Sequence, residues 1–460
     1  MMDKITELYN RIGLYLPEML LPSGHIDLQK WSVVACDQFT SQPEYWKAVD
    51  RFVGDSPSTL RMILPEVYMQ ADKDAGHTDQ AAEIDKINLN MTKYISDGTL
   101  RSIGNCAIYT ERTLTSGKKR KGIVLAVDLE KYDYSPHSTA MIRPSEGTVT
   151  ERLPPRVAIR RRAALESPHI LLLFDDRSQE ALSVFENISH SMKLAYDFDL
   201  MMGGGHITGY RIDPDAQYVE LIRFAEILAR CGANNNSNMV FAVGDGNHSL
   251  AAAKTYWEEL KASGAHNLPA QYALVEIVNI YDDAMEFEPI HRIIFGINTE
   301  ELIALLVGSI PALCSMKVIY QNTGESQNTA GYIETNDKNK QIIPFISTDT
   351  NGIIEITGSP YKNAAGTFQY CLEKITQSAK AAAMKVDYIH GRKALEELVF
   401  SSQNSGNAVI SNTTTGFYMP EIGRDDFFAT IVKEGKYPLK AFSIGHANEK
   451  RYYLESRKIR

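Results

Sequence analysis

Residues 239–243, Met-Val-Phe-Ala-Val, run without a break into Gly244-Asp245-Gly246-Asn247-His248 and then into the alanine-rich Ser249-Leu250-Ala251-Ala252-Ala253-Lys254. The first stretch favours a strand and the last a helix, so this junction commits the chain to strand, tight turn and helix in succession. Such a junction aims unpaired backbone N–H groups and the positive end of a helix dipole at one point, where phosphate or carboxylate is the natural occupant. Gly244 and Gly246 permit positive φ and close backbone approach, while Asp245 and His248 add an acid and a titratable donor. The pattern is neither a Walker A loop nor the dinucleotide GxGxxG motif. Two readings stand side by side. Either the turn binds an anion, or the glycines only make the turn, Asp245 caps the helix and His248 is a satisfied surface group.

At 460 residues the chain is long for one core, so two or three domains are expected, and 44% hydrophobic with 23% charged residues suits a globular chain. Lys and Arg number 48 against 57 Asp and Glu, a net charge of −9. That balance argues against a general nucleic-acid binder, which neutralises phosphates with basic side chains. Five cysteines, Cys36, Cys106, Cys231, Cys314 and Cys371, are odd in number, scattered and without a CxxC pair. They point to reduced thiols rather than a disulfide framework or a cysteine zinc site, and Cys36 reads as a buried strand-end residue rather than a redox centre. The start, Met1-Met2-Asp3-Lys4, lacks the apolar core of a signal peptide, and no apolar run reaches the roughly 18 residues of a membrane helix. A cytoplasmic protein with no membrane and no nucleic-acid partner is the expectation.

Patterning predicts a mixed α/β (α+β) chain. A strand is expected at 31–35, helices at 43–52 and 80–95, and strands at 106–112 and 123–129 joined by a basic turn at 116–120. Near residue 150 the texture changes. Pro154-Pro155-Arg156 and the arginines 160–162 precede an apolar run at 170–174 typical of a buried strand, a helix at 178–194 and a helix at 216–230. The glycines 203–205 before His206 read as a flexible loop or as a flap. The last third shows helices at 302–307, 367–385 and 393–400 and a hairpin at 341–356 turning near Asn351-Gly352. These textures suggest three regions: 1–150, contributing Asp37 to a cleft; 151–300, with the 244–248 turn; and 301–460, of unknown role. The 450–460 segment is rich in basic residues, yet Tyr452-Tyr453-Leu454 reads as a packed strand. After the strand at 272–280, Pro289-Ile290-His291-Arg292 leads into an apolar run. There a guanidinium could fork onto phosphate oxygens and an imidazole move a proton; the plainer reading is a solvent-facing arginine beside a packed histidine.

Taken together, Ala35-Cys36-Asp37-Gln38-Phe39-Thr40-Ser41, Pro43-Glu44-Tyr45-Trp46, Pro154-Pro155-Arg156, residues 201–210, 244–254 and 289–292, and Asp387-Tyr388-Ile389-His390-Gly391 resemble the DUF1015 family over essentially the whole chain. The family's Asp-Gly-X-His motif is similar to that of the ParB/sulfiredoxin-like superfamily, which includes nucleotidases, CTP-binding partition proteins and free-serine kinases using ADP or ATP. The resemblance implies a ParB/sulfiredoxin-like core with added N-terminal and C-terminal α/β elements. It also implies a phosphate cradle of Gly244, Asp245, Gly246, Asn247 and His248, with Ser249 where many members carry arginine. Arg292, Arg156 or Arg160 would then bring the missing cation. Phosphoryl transfer calls for a carboxylate near the phosphates and often Mg²⁺, so Asp245, as the Mg²⁺ ligand, and Asp37 are the candidates. Asp37 follows the expected strand, where side chains face a cleft, or else simply forms a turn. The implied function is a phosphotransferase moving a phosphoryl group from ATP or ADP to a small hydroxylated metabolite such as free serine, with Asp245, His248, Asp37 and His291 at the chemistry. A nucleotide or phosphoester hydrolase and a non-catalytic nucleotide or metabolite sensor stay open, and Ser249 in place of arginine favours the sensor.

Overall fold

The computed structural model describes residues 2–40, 42–68, 80–234, 237–321, 337, 339–377, 384–401 and 414–460. The described chain is mixed α/β (α+β) and divides into two compact units, Met1–Glu286 with Ile444–Arg460, and Phe287–Ser443. Among the described residues no helix is long and apolar enough to cross a membrane.

The strands of the first unit are β1 (Leu14–Tyr15), β2 (Glu18–Pro22), β3 (Leu100–Asn105), β4 (Ala107–Thr113), β5 (Lys119–Asp128), β6 (Ile142–Pro144), β7 (Leu165–Glu166), β8 (Leu171–Phe174), β9 (Lys193–Asp199), β10 (His206–Ile212), β11 (Phe241–Asp245) and β12 (Tyr272–Asn279). The main sheet runs β6-β11-β8-β12-β5-β4-β10-β9, with β1 also on β5. At its centre β12 pairs antiparallel with β5 and parallel with β8. Leu171–Phe174 and most of β5 and β12 are buried, as central strands covered on both faces must be. Side chains alternate between two cores. Tyr109, Ile123 and Leu125 pack with the helices Met2–Arg11, Tyr218–Asn234 and Asn247–Ala262, whereas Ile108 and Val124 pack with Trp31, Trp46, Met91 and Tyr452. The sheet takes strands from both sides of residue 150, so the texture change there lies inside one unit.

Several local expectations give way to tertiary contacts. The stretch at 31–35 is not a ladder strand: Asp27 caps a short helix, Leu28–Trp31, and the chain then makes one bridge, Val34 to Tyr452. The helix expected at 178–194 is only Glu180–Glu186, because the polar run from Asn187 turns through Ser189–Ser191 into β9. Gly204 and Gly205 form a packed corner rather than a flap, for a Cβ on Gly204 would overlap the Tyr452 ring and one on Gly205 the Thr113 carbonyl, while Gly203 faces open space.

In the second unit β13 (Phe287–Phe295), β14 (Ser315–Gln321), β15 (Lys340–Ser347), β16 (Asn351–Thr357), β17 (Lys385–His390) and β18 (Thr414–Phe417) form an antiparallel sheet in the order β14-β16-β15-β18-β13-β17. Its hairpin turns at 348–350, where Ser347 N–H donates to the Thr350 carbonyl at 2.8 Å, and Asn351 and Gly352 already belong to β16. The expected 367–385 helix is Ala364–Thr376, with Lys385 opening β17. Residues 378–383, Ser41 and residues 235–236 lie outside the described residues.

Candidate functional site

The turn after β11 is shaped by two glycines for different reasons. β11 pairs parallel with β6 and antiparallel with β8, and its register shifts between Val243 and Asp245, leaving Gly244 in a bulge. A Cβ on Gly244 would stand 2.9 Å from both Leu173 Cγ and Ile444 Cδ1, so no side chain fits. Gly246 takes φ +79° and starts the helix Asn247–Ala262, and a Cβ there would lie 3.0 Å from Ile170 Cα. No side chain from the N-cap position covers the first turn of that helix. Asp245 instead accepts from Gly246 N–H at 2.9 Å through Oδ1, while Oδ2 pairs with Lys450 Nζ at 3.1 Å.

Around this turn stand two histidines that the protein keeps neutral. Burial, reinforced by Arg156 and Arg152 and opposed by Asp37, pushes His248 down to about 4. Its Nε2 accepts from Val149 N–H at 3.2 Å, so the single proton of the neutral ring sits on Nδ1. Burial also lowers His169, against the pull of Asp37 and Asp245 and with help from Arg156. His169 links Ser249 Oγ, 3.0 Å from Nε2, to the Tyr453 hydroxyl, 2.9 Å from Nδ1. The Tyr453 oxygen also accepts from Cys36 N–H at 3.3 Å, so the Ser249, His169 and Tyr453 side chains form one hydrogen-bonded chain beside the turn. Asp37 is held below the ordinary carboxylate range: burial alone would raise it, but His169, the Gln38 amide, Lys450 and Arg156 outweigh that. The Cys36 thiol is raised to about 11 by burial and by Asp37, which makes it a poor nucleophile.

Lys450 and Tyr453 reach the turn because the C-terminal segment returns along residues 33–35. Ala35 N–H donates to the Arg451 carbonyl at 3.0 Å and Tyr453 N–H to the Val33 carbonyl at 2.8 Å. The indole of Trp31 donates to the Leu454 carbonyl at 2.9 Å, and Ser32 Oγ to the Tyr453 carbonyl at 2.8 Å. Buried Arg112 donates to the carbonyls of Asn448, Glu449 and Lys450 at 2.7, 3.0 and 2.6 Å, and to Gly204 at 2.8 Å. The same ties set Asp37 close enough to Lys450 to feel its charge.

Three side-chain polar atoms beside the turn, Ser145 Oγ, Thr148 Oγ1 and Asn247 Oδ1, are buried yet have no hydrogen-bond partner among the described residues. Ser145 follows β6 and bonds β11 through its own N–H, to the Val243 carbonyl at 3.3 Å, and Thr148 adjoins Val149, which meets His248. Buried polar groups are rarely left unpaired, so this cluster suits a polar ligand. Asp37 and Asp245 are the carboxylates that could hold Mg²⁺ beside a phosphate, an ion commonly bound by one or two carboxylates with waters and phosphate oxygens, Asp245 then exchanging Lys450 for the ion.

Asp37, Arg156, Asp245, His248 and Ser249 are thus brought together with Gly244, Gly246 and Asn247 in the first unit. Arg156 is already engaged by an ion pair with Glu66 and a bond to the Arg152 carbonyl, and Arg160 pairs with Glu166 at 2.5 Å. His291 and Arg292 lie on β13 of the second unit, with partners inside it. Both are buried, so neither is solvent-facing. His291 Nδ1 accepts from Met419 N–H at 3.1 Å, and the Arg292 guanidinium lies over the Tyr388 ring at 4.6 Å. Sequence reasoning missed His169, Lys450 and Tyr453. His169 sits just before the apolar run at 170–174 with nothing catalytic beside it. The basic excess after residue 450 was visible, but nothing local ties it to a turn two hundred residues earlier.

Structural comparison finds similarity to a free serine kinase solved in complex with AMP, at 11% identity and TM-score 0.37, over 72% of this chain and 90% of that one. It also finds a conserved hypothetical protein from Pyrococcus furiosus, at 12% identity and TM-score 0.35, over 73% of this chain and 95% of that one. C-terminally truncated SbnI from Staphylococcus aureus matches at 11% identity and TM-score 0.32, over 70% of this chain and 82% of that one. No curated protein matches the sequence. The family described as "Protein of unknown function (DUF1015)" matches residues 20–363, most of the sequence, and the chain belongs to that family.

Proposed function

We propose that the first unit carries a nucleotide-dependent phosphotransferase site whose acceptor is a small hydroxylated metabolite, with free serine the first candidate. The observation behind this reading is the set of partnerless buried atoms, Ser145 Oγ, Thr148 Oγ1 and Asn247 Oδ1, around a helix N-terminus that also meets Lys450, Asp245 and two neutral histidines. Phosphoryl transfer needs positioning and charge neutralisation more than covalent chemistry. On this reading the helix N-terminus, the Asn247 amide N–H and His248 Nδ1–H bind phosphate oxygens, and Asn247 Oδ1 accepts from the acceptor hydroxyl. Lys450 takes the place of the arginine that Ser249 replaces, dividing its charge between Asp245 and the phosphates. Asp245 and Asp37 orient the acceptor hydroxyl, and they are the carboxylates that would hold a Mg²⁺ ion, whose charge would further neutralise the phosphates.

The test is ³¹P NMR of the protein with ATP or ADP, serine and Mg²⁺. A phosphoester should form only when nucleotide and acceptor are both present, and Asp245→Asn should slow its formation by about 100-fold or more while the protein stays folded. Phosphate release that ignores the acceptor would identify a hydrolase instead. Binding with no product from any acceptor would identify a sensor, and unchanged turnover in the variant would remove Asp245 from the chemistry.

A further inference from the structure

A cavity of about 160 Å³ in the first unit borders the helix N-terminus. It shares a wall with the turn, because Ile170, against which Gly246 packs, lines it, as do Ser249 and His169. Its lining is mixed. Ser249, His169 and Arg156 stand at the edge next to the site, whereas Met62, Met91, Ile159 and Ala252 supply apolar surface. The remaining wall also carries Arg160, which holds Glu166 at 2.5 Å while its Nε has no hydrogen-bond partner among the described residues, and Glu166 also pairs with Arg457. A cavity of roughly 150 Å³ lined by apolar side chains accepts one benzene ring. Serine's methylene would fill only a small part of this space.

Resting on the phosphate-site reading above, we infer that the site's ligand carries a compact apolar group, about one six-membered ring in size, that enters this cavity while its anionic end lies at the turn. The two thioethers add polarisable surface that suits a flat ring. Ser249, bonded to His169 at 3.0 Å, brings a hydroxyl to the edge of the cavity nearest the turn. Such a group is either the six-membered part of the nucleotide's base or an apolar arm of the acceptor, and the two sources separate experimentally.

The test measures dissociation constants of methyl phosphate, phenyl phosphate, inorganic pyrophosphate and ADP by calorimetry, on the full chain and on Ala252→Leu, which fills the cavity. Phenyl phosphate should bind about ten-fold or more tightly than methyl phosphate, and Ala252→Leu should erase the difference while leaving methyl phosphate unchanged. Ala163→Leu, on another wall of the same cavity, makes the same measurement should Ala252→Leu fail to fold. If the base is the occupant, ADP exceeds pyrophosphate and loses that advantage in the filled variant. If the arm belongs to the acceptor, ADP and pyrophosphate bind alike, and the phenyl preference is seen in the full chain and lost in the filled variant. Equal binding of methyl and phenyl phosphate, or a phenyl preference that survives in a folded filled variant, overturns the inference alone. Failure of all four anions to bind the folded protein overturns the phosphate-site reading and this inference with it.

Discussion

At Gly244 the obstacle to any other residue is space, and at Gly246 it is chiefly backbone conformation. Gly244→Ala forces a Cβ against Leu173 and Ile444, and overpacking of this kind costs about 1–3 kcal/mol, to be read from the shift in urea midpoint. Gly246→Ala places a Cβ at φ +79° and also presses Ile170, with a loss of about 1–3 kcal/mol expected by the same measurement. His248 makes a prediction of a different kind. Its folded value near 4 lies below its ordinary 6.5, so the unfolded chain binds more protons between those values. The stability it contributes is full above about 6.5 and is lost as pH falls toward 4. His248→Asn should flatten the decline in urea midpoint over that window. His291, also depressed to about 4, acts with the same sign in the second unit, so part of the slope remains. The glycine roles were legible in the sequence because a strand running straight into a helix leaves little room for other geometry. The protonation state of His248 was not, because it depends on Val149, Arg152 and Arg156, brought near by folding.

The strand, turn and helix at 239–254 and the hairpin of β4 and β5 follow from local patterning, and the sequence reading found both. The C-terminal return does not, because its partners at 33–35 lie more than four hundred residues away and its side of the pairing is a single bridge. For the same reason a strand was expected at 31–35 where Asp27 starts a short helix. Arg112 is the main clasp of the return, giving hydrogen bonds to three successive carbonyls there. Arg112→Met would leave the carbonyls of Asn448, Lys450 and Gly204 short of donors in a buried place, where each unsatisfied group costs about 1–3 kcal/mol, while Arg120 still donates to the Glu449 carbonyl at 2.9 Å. A loss of about 3 kcal/mol or more in urea unfolding is expected, and because Lys450 rides on this segment, nucleotide affinity should fall with it. Unchanged affinity in a folded Arg112→Met protein would separate Lys450 from the binding role given to it here.

The two units have separate sheets, and the proposed chemistry draws only on the first, from a region near the start of the chain, two in the middle and one at the end. That spread explains why composition and charge excluded function classes but did not assemble the site. Motif reading reached Asp37, Arg156, Asp245, His248 and Ser249, and the residues joining them, His169, Lys450 and Tyr453, came only from the fold. The same spread makes ligand binding readable as a pattern along the chain, since a ligand that orders the turn must also order the segments that meet it. Hydrogen–deuterium exchange of the full chain with and without saturating ADP and Mg²⁺ is therefore the most direct check. The account predicts slower exchange together at 36–38, 145–156, 244–250 and 449–453, with the effect at 244–250 lost or sharply reduced in Lys450→Met. Slower exchange elsewhere with those four segments unchanged, or no change in them at any ADP concentration in folded protein, would contradict it.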